Sequence, residues 1–219
     1  MKQVIALAAL LCLLFSCDNP FTARITDDFI PIDITGNYWI YKNNNESEKY
    51  LEVKENTNNL AFDGREAIIV EENYAETYWF KGEGFVSRYK QVQINFNGQL
   101  YTIEERWQHY IEIPMVVGNS WKDAWRDTID FLNEPLYYAS TLQCSVVAIE
   151  AIVTQAGEFD NCYKLHFNCI EEIRSTTLGD SVSETYHFEW YAPSVGLVQS
   201  TQDNQDWKLI DYGSNEEGD

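Results

Sequence analysis

The chain reads as an all-β protein, a single domain of about a dozen antiparallel strands folded as a strongly curved sheet or open half-barrel. Three observations predict this. From Gly36 onward, short runs rich in β-branched and aromatic residues alternate apolar and polar positions with a period of two. Turn chemistry separates these runs at close spacing, as at Asn58-Asn59, Asp63-Gly64 and Asn97-Gly98. Aromatic residues make up 15% of the chain, with seven Trp and 14 Tyr, the side chains that half-buried strands and cross-strand pairs favour. Such alternation argues against a parallel sheet, whose strands read as continuous apolar runs. No internal repeat of fixed period is evident.

The N-terminus is of a different kind. Lys2 precedes the apolar run Val4 to Phe15, long enough for the core of a secretory signal and too short to cross a bilayer as a helix. The run ends directly on Cys17. Leu14-Phe15-Ser16-Cys17 has the order of a bacterial lipobox: a large apolar residue, a tolerant position, a small residue, then the cysteine. A membrane-embedded peptidase needs the small residue before its cut, and the thiol becomes a thioether to diacylglycerol. We expect a lipoprotein signal peptide at residues 1–16 and a lipidated Cys17 heading a flexible tether to residue 35. A β domain over 36–213 and an acidic tail at 214–219 complete the expected organisation. Two or three acyl chains make such an anchor effectively permanent, each buried methylene adding about 0.8 kcal/mol.

The strands are expected in order at 37–41, 50–54, 66–70, 77–80 and 85–89, then on either side of Asn97-Gly98. That pair is the clearest hairpin, because Asn-Gly tolerates the two positive φ angles of a type I′ turn. Further strands are expected at about 105–113, 138–153, 162–173, 183–191, 195–201 and 206–212. Lys122 to Leu132 is the one stretch with partial helical period, with Gly118-Asn119-Ser120 before it as a cap.

Charge narrows the function classes. Removing residues 1–16 leaves 14 basic residues against 35 acidic ones, a formal charge of −21. That balance repels nucleic acid and anionic headgroups, so no nucleic-acid partner is expected.

Few residues stand out for chemistry. With Cys12 discarded and Cys17 lipidated, Cys144, Cys162 and Cys169 remain in an oxidising compartment. Strand parity puts Cys144 and Cys169 on the apolar faces of neighbouring strands and Cys162 on the opposite side. A Cys144–Cys169 disulfide is the preferred reading, with three reduced thiols as the alternative. The cysteines lack paired spacing and a neighbouring ligand histidine, so neither a metal nor a cofactor is expected. His109, His166 and His187 each interrupt an alternating strand and read as residues of the polar face. The acid- and Asn-rich loops at 43–48 and 203–206 carry oxygen ligands but not the spacing of a known calcium loop. No nucleophile elbow, zinc-protease motif or phosphate loop occurs, and no catalytic residue is nominated.

One C-terminal segment is more specific. Glu189-Trp190-Tyr191-Ala192-Pro193-Ser194-Val195-Gly196-Leu197-Val198 resembles a WYAPGVGLV signature of uncharacterised bacterial secreted proteins and lipoproteins. The segments at 156–165, 36–39 and 117–121 also have counterparts there. Ser194 departs from the pattern, which has Gly at that place. The resemblance implies an all-β fold akin to the half-barrel of lipoprotein carrier proteins. It implies no activity, so no catalytic residue carries over.

Together these readings lead to a membrane-anchored, non-enzymatic lipoprotein of the bacterial cell envelope. Its curved sheet would bind an apolar or glycan ligand, or another envelope protein. The outer membrane is expected over the inner, with the body in the periplasm or at the cell surface. Asp18 resembles an inner-membrane retention signal of some bacteria, a rule that does not transfer to all. Two other classes stay open: a surface polysaccharide hydrolase, which needs two carboxylates facing each other across a cleft, and a structural or assembly subunit of an envelope complex.

Overall fold

The computed structural model describes residues 28–202 and 205–215. Among them are fourteen β-strands and no helix. The first eight are β1 (Asn37–Asn43), β2 (Glu48–Lys54), β3 (Ala61–Phe62), β4 (Arg65–Glu66), β5 (Ile68–Glu72), β6 (Ala75–Gly82), β7 (Phe85–Phe96) and β8 (Gln99–Glu112). The rest are β9 (Ser120–Phe131), β10 (Glu134–Thr154), β11 (Gly157–Arg174), β12 (Ser181–Ala192), β13 (Gly196–Gln202) and β14 (Gln205–Ser214).

Twelve of them form one antiparallel sheet in the order β8-β7-β6-β5-β2-β1-β14-β13-β12-β11-β10-β9, and β3-β4 is a small hairpin set apart. The sheet is an up-and-down meander joined across β1 and β14, so the two ends of the domain lie side by side in its middle. Its edges, β8 and β9, are consecutive in sequence and the sheet curls until they meet. Side chains close the seam. Asp123 Oδ2 accepts from the His109 amide at 3.1 Å, and Trp121 Nε1 donates to the Tyr110 carbonyl at 3.0 Å. The result is a nearly closed, barrel-like sheet, in keeping with the expected half-barrel, and these side chains satisfy edge groups that a twelve-strand sheet would otherwise expose.

Local chemistry explains the turns. Asn97 and Gly98 take φ of 51° and 85°, and the ladder resumes as Phe96 opposite Gln99. The expected type I′ hairpin is therefore present. Leu132 and Asn133 make a second tight turn, with φ of 59° and 63°. This turn overturns the helical reading of 122–132, which is strand β9 paired along its whole length with β10. Trp121, Trp125, Ile129 and Phe131 fall at odd positions, a strand period, and pairing with β10 outweighs the weak helical signal.

The body also begins earlier than Gly36. Within the stretch expected as tether, Phe29, Ile30 and Ile32 are buried, and Phe29 meets the Tyr163 ring edge-on at 5.0 Å. Lys81 Nζ clamps the segment by donating to Asp28, Asp33 and the Ile30 carbonyl at 2.9–3.1 Å. Ser194 keeps the positive φ (62°) that a glycine would hold there, so the turn survives the departure. The Ser194 amide donates to the Asp28 carbonyl at 2.6 Å, and Trp39 Nε1 donates to the Val195 carbonyl at 2.6 Å. The turn after Ala192 is thus the seat for residues 28–32, which close one end of the barrel.

Candidate functional site

The concave face of the sheet encloses a lumen. Alternate residues of each strand point into it: Arg88 and Lys90 from β7, Gln108 and Tyr110 from β8, Cys169 and Glu171 from β11, His187 and Glu189 from β12. It forms a cavity of about 620 Å³. Toward the end closed by Ile30 and Ile32, it narrows into a mainly apolar recess of about 150 Å³ lined by Trp39, Tyr41, Trp79 and Tyr191. The interior is largely polar, which the strand alternation alone leaves open.

Glu104 organises one end. Its side chain is fully buried and receives Lys90 Nζ at 2.9 Å and Arg106 Nε at 2.8 Å. Ser140 Oγ donates to it at 2.9 Å, and the Tyr138 hydroxyl lies 3.2 Å away. Arg106 continues to Asp123, tying this network to the seam. Lys90 also reaches Glu171 at 2.9 Å. Burial pushes the Glu171 carboxyl up, but the Lys90 ammonium and the Tyr138 hydroxyl outweigh it and hold it below the usual carboxylate range.

Glu189 organises the middle. Tyr110 and Tyr191 donate to its two oxygens at 2.9 and 2.6 Å, and His187 Nε2 lies 3.6 Å away. Burial pushes this carboxyl up as well, yet His187 and the two hydroxyls hold it below its ordinary value. His187 stacks flat on Phe167 at 4.6 Å. Burial alone would lower its imidazole, but the hydrogen bond with Cys169 and the Glu189 carboxylate bring it up to about 9. Two further cations face the lumen. Lys49 lies 3.7 Å from Glu72 and 5.1 Å from the Trp207 ring centroid. Arg88 sits over Trp79 at 5.7 Å and makes no ion pair among the described residues.

The wall has a lateral gap. The β6–β7 ladder runs from Gly82 opposite Phe85 to Trp79 opposite Arg88 and stops. Beyond it, Glu76, Thr77 and Tyr78 part from Tyr89 to Val92, leaving a slot of about 590 Å³. Phe62 of the β3-β4 hairpin lines it, stacked on Tyr89 at 4.1 Å and tilted against Tyr78 at 5.0 Å. Arg88, Lys90 and Gln108 line both slot and lumen, so the two spaces meet at these residues.

The residues singled out from sequence distribute unevenly. Cys17 and the leader expected at 1–16 lie outside the described residues, as do residues 216–219 of the expected acidic tail. Cys144, Cys162 and Cys169 are free thiols, and the preferred Cys144–Cys169 bridge is not formed. The register sets Cys144 opposite Phe167 and Cys169 opposite Leu142, which offsets the two sulfurs diagonally on one face. Cys162 is buried and directs its thiol to the Phe159 carbonyl at 3.3 Å. His166 stacks on Phe188 at 4.9 Å and His109 on Phe85 at 5.5 Å; His187 alone of the three lines the lumen. At 43–48, Asn43 Oδ1 accepts from the amides of Asn45 and Ser47, both at 2.9 Å, which accounts for this loop as a turn. Residues 203 and 204 of the other loop lie outside the described residues. No cluster of three or more His, Cys, Asp or Glu suited to a metal occurs among the described residues.

Sequence reasoning passed over Glu104, Arg88, Lys90 and Glu189. The available signal was parity. Glu104, Arg106 and Gln108 share a strand face, and a charged row beside buried Ile103 and Trp107 marks an interior polar face.

Comparison with known proteins gives little beyond architecture. The DUF3108-like family matches residues 135–214, the last five strands. No curated protein matches the chain in sequence. Among solved structures, a predicted lipoprotein from Parabacteroides distasonis is similar at a TM-score of 0.47 and 17% identity, over 85% of this chain and 99% of that one. The hypothetical lipoprotein YmcC from Escherichia coli is similar at a TM-score of 0.36 and 9% identity, over 93% of this chain and 94% of the other.

Proposed function

We propose that this chain is a lipid-anchored binding module of the bacterial cell envelope whose lumen takes a polar, glycan-class ligand without transforming it. The observation that carries the reading is the lumen itself. A space of about 620 Å³ falls within the usual range of small-ligand sites. Its lining of amides, hydroxyls and charges interleaved with Tyr110 and Trp207 suits sugar rings, which offer hydroxyls at their edges and C–H groups on their faces. An apolar tail in the same place would strip water from Glu171, Lys90 and His187, and burying such groups against hydrocarbon is costly.

The anchor follows from the lipobox at 14–17, and the outer membrane is its proposed address. The hydrolase reading is weaker. A glycosidase needs one carboxyl raised enough to act as general acid, whereas two of the carboxyls lining the lumen, Glu171 and Glu189, are held below their ordinary value.

The test has two arms. Metabolic labelling with an alkyne fatty acid should tag the wild-type chain and not Cys17→Ser. Titration of the ¹⁵N-labelled protein with short oligosaccharides should shift amides of β7, β8, β11 and β12, leave the Asn97-Gly98 turn little changed and release no reducing sugar. Sugar release, or shifts confined to the convex face, would remove the binding-module reading.

A further inference from the structure

We infer that the ligand carries an acidic group, and that Arg88 receives it where the lateral slot joins the lumen. The inference rests on the binding reading above and specifies its ligand. It begins with the charges that face the lumen. Lys90 is spent between Glu104 and Glu171, both at 2.9 Å. His187 faces Glu189 at 3.6 Å, and Lys49 faces Glu72 at 3.7 Å. Arg88 is left over. Its guanidinium is exposed to the cavity, has no carboxylate partner among the described residues, and is oriented by the Trp79 ring beneath it. In a chain of formal charge −20, surface carboxylates are abundant, and still none of the described ones is paired with this cation.

Position gives that charge a use. Arg88 lies at the last rung of the β6–β7 ladder, on the boundary shared by the slot and the lumen. A short chain of sugars lying through the gap would pass the Phe62–Tyr89 stack outside, Arg88 at the threshold and Tyr110 within. Guanidinium presents a planar fork that matches a carboxylate or sulfate with two parallel hydrogen bonds. Gln108 beside it adds a neutral donor. The overall negative charge repels a long polyanion, but at physiological salt that field is screened over about 8 Å.

The experiment is isothermal titration of the full lipidated chain in neutral detergent at low ionic strength. The probes are trigalacturonate, maltotriose and inorganic sulfate. Trigalacturonate should bind more tightly than maltotriose and weaken as salt is raised. Arg88→Gln should weaken trigalacturonate by about tenfold or more, the loss typical of a charged hydrogen bond, and leave maltotriose unchanged. Arg88→Lys should fall between, and Lys122→Gln, on the exposed face of the edge strand, should match wild type. Competition by sulfate that disappears in Arg88→Gln supports a general anion subsite; binding without such competition, but still dependent on Arg88, supports a carboxylate-specific one. Equal affinity for the two saccharides, or indifference to Arg88→Gln, overturns the acidic ligand and leaves the glycan reading standing. Absence of binding by both saccharides overturns both. Matching thermal melts for the Arg88 variants separate lost binding from lost folding.

Discussion

The Tyr110 hydroxyl donates to Glu189 Oε1 at 2.9 Å, joining two positions 79 residues apart in sequence. Tyr110 lies on β8, an edge of the sheet, and Glu189 on β12, three strands in from the other edge. The bond exists because the sheet curls on itself. It brings an interior carboxylate, an imidazole and a phenol together in the lumen, and the pH response of the fold follows from it.

That response has two limbs. His187 is raised to about 9 from about 6.5 when unfolded. Its contribution is complete below about pH 6.5 and is lost as pH rises through 9. Glu189 is lowered, so its contribution is complete above the usual carboxylate range and is lost as pH falls through its depressed value. Urea midpoints measured across pH should therefore fall on both sides of a mildly acidic maximum. His187→Gln should flatten the alkaline limb; an unchanged limb would refute the assignment.

Glu104→Ala should be among the most damaging single changes. It leaves Lys90 with Glu171 alone and Arg106 with Asp123 alone beside a buried space, and removes the acceptor of Ser140. Breaking one member of a buried ionic network costs about 3–5 kcal/mol. Equilibrium denaturation should show the loss in the midpoint, and a shift below 1 kcal/mol would contradict the network's role.

The turn after Ala192 offers a paired test. Gly196 holds a φ of 97°, and a Cβ there would lie 3.3 Å from Pro31 Cδ and 3.5 Å from Trp39 Nε1. Gly196→Ala should cost about 1–3 kcal/mol through backbone strain and loosen the packing of residues 28–32. Ser194→Gly, by contrast, should be neutral or slightly stabilising, since Ser194 already holds a positive φ. Limited proteolysis before Gly36 should quicken in the first variant and not in the second.

Thiol reactivity separates the three cysteines. Cys144 and Cys162 are wholly buried and Cys169 is half-exposed to the lumen. Burial also raises the Cys162 thiol to about 11 and Cys144 higher still, which removes the reactive thiolate. Expressed from residue 18 onward, without Cys12 and Cys17, the folded protein should show one fast thiol towards an aromatic disulfide reagent, and Cys169→Ser should abolish it. No fast thiol under non-reducing conditions, with one appearing after mild reduction, would instead indicate the Cys144–Cys169 bridge.

Much of the fold was legible along the chain because a β-sheet writes a period of two wherever one face is buried. The strands of 37–41, 50–54 and 183–191, and the turn at Asn97-Gly98, follow from local preference that tertiary contacts reinforce. The stretch 122–132 did not, because Asp123, Arg126 and Asp127 blur its alternation until β10 is alongside. Residues 28–32 were equally opaque: Pro31 and the nearby aspartates read as linker, and their burial depends on a turn more than 160 residues away.

The sequence by itself determined an acidic all-β body and its turn positions, since each is a matter of composition or nearest neighbours. Tertiary structure alone decided which charges face inward and which of them is paired. Arg88 and Lys90 are indistinguishable as alternate residues of one strand. Only the curl that carries Glu104 and Glu171 to Lys90, and none of the described carboxylates to Arg88, makes one a brace and the other a free cation at the mouth of the lumen.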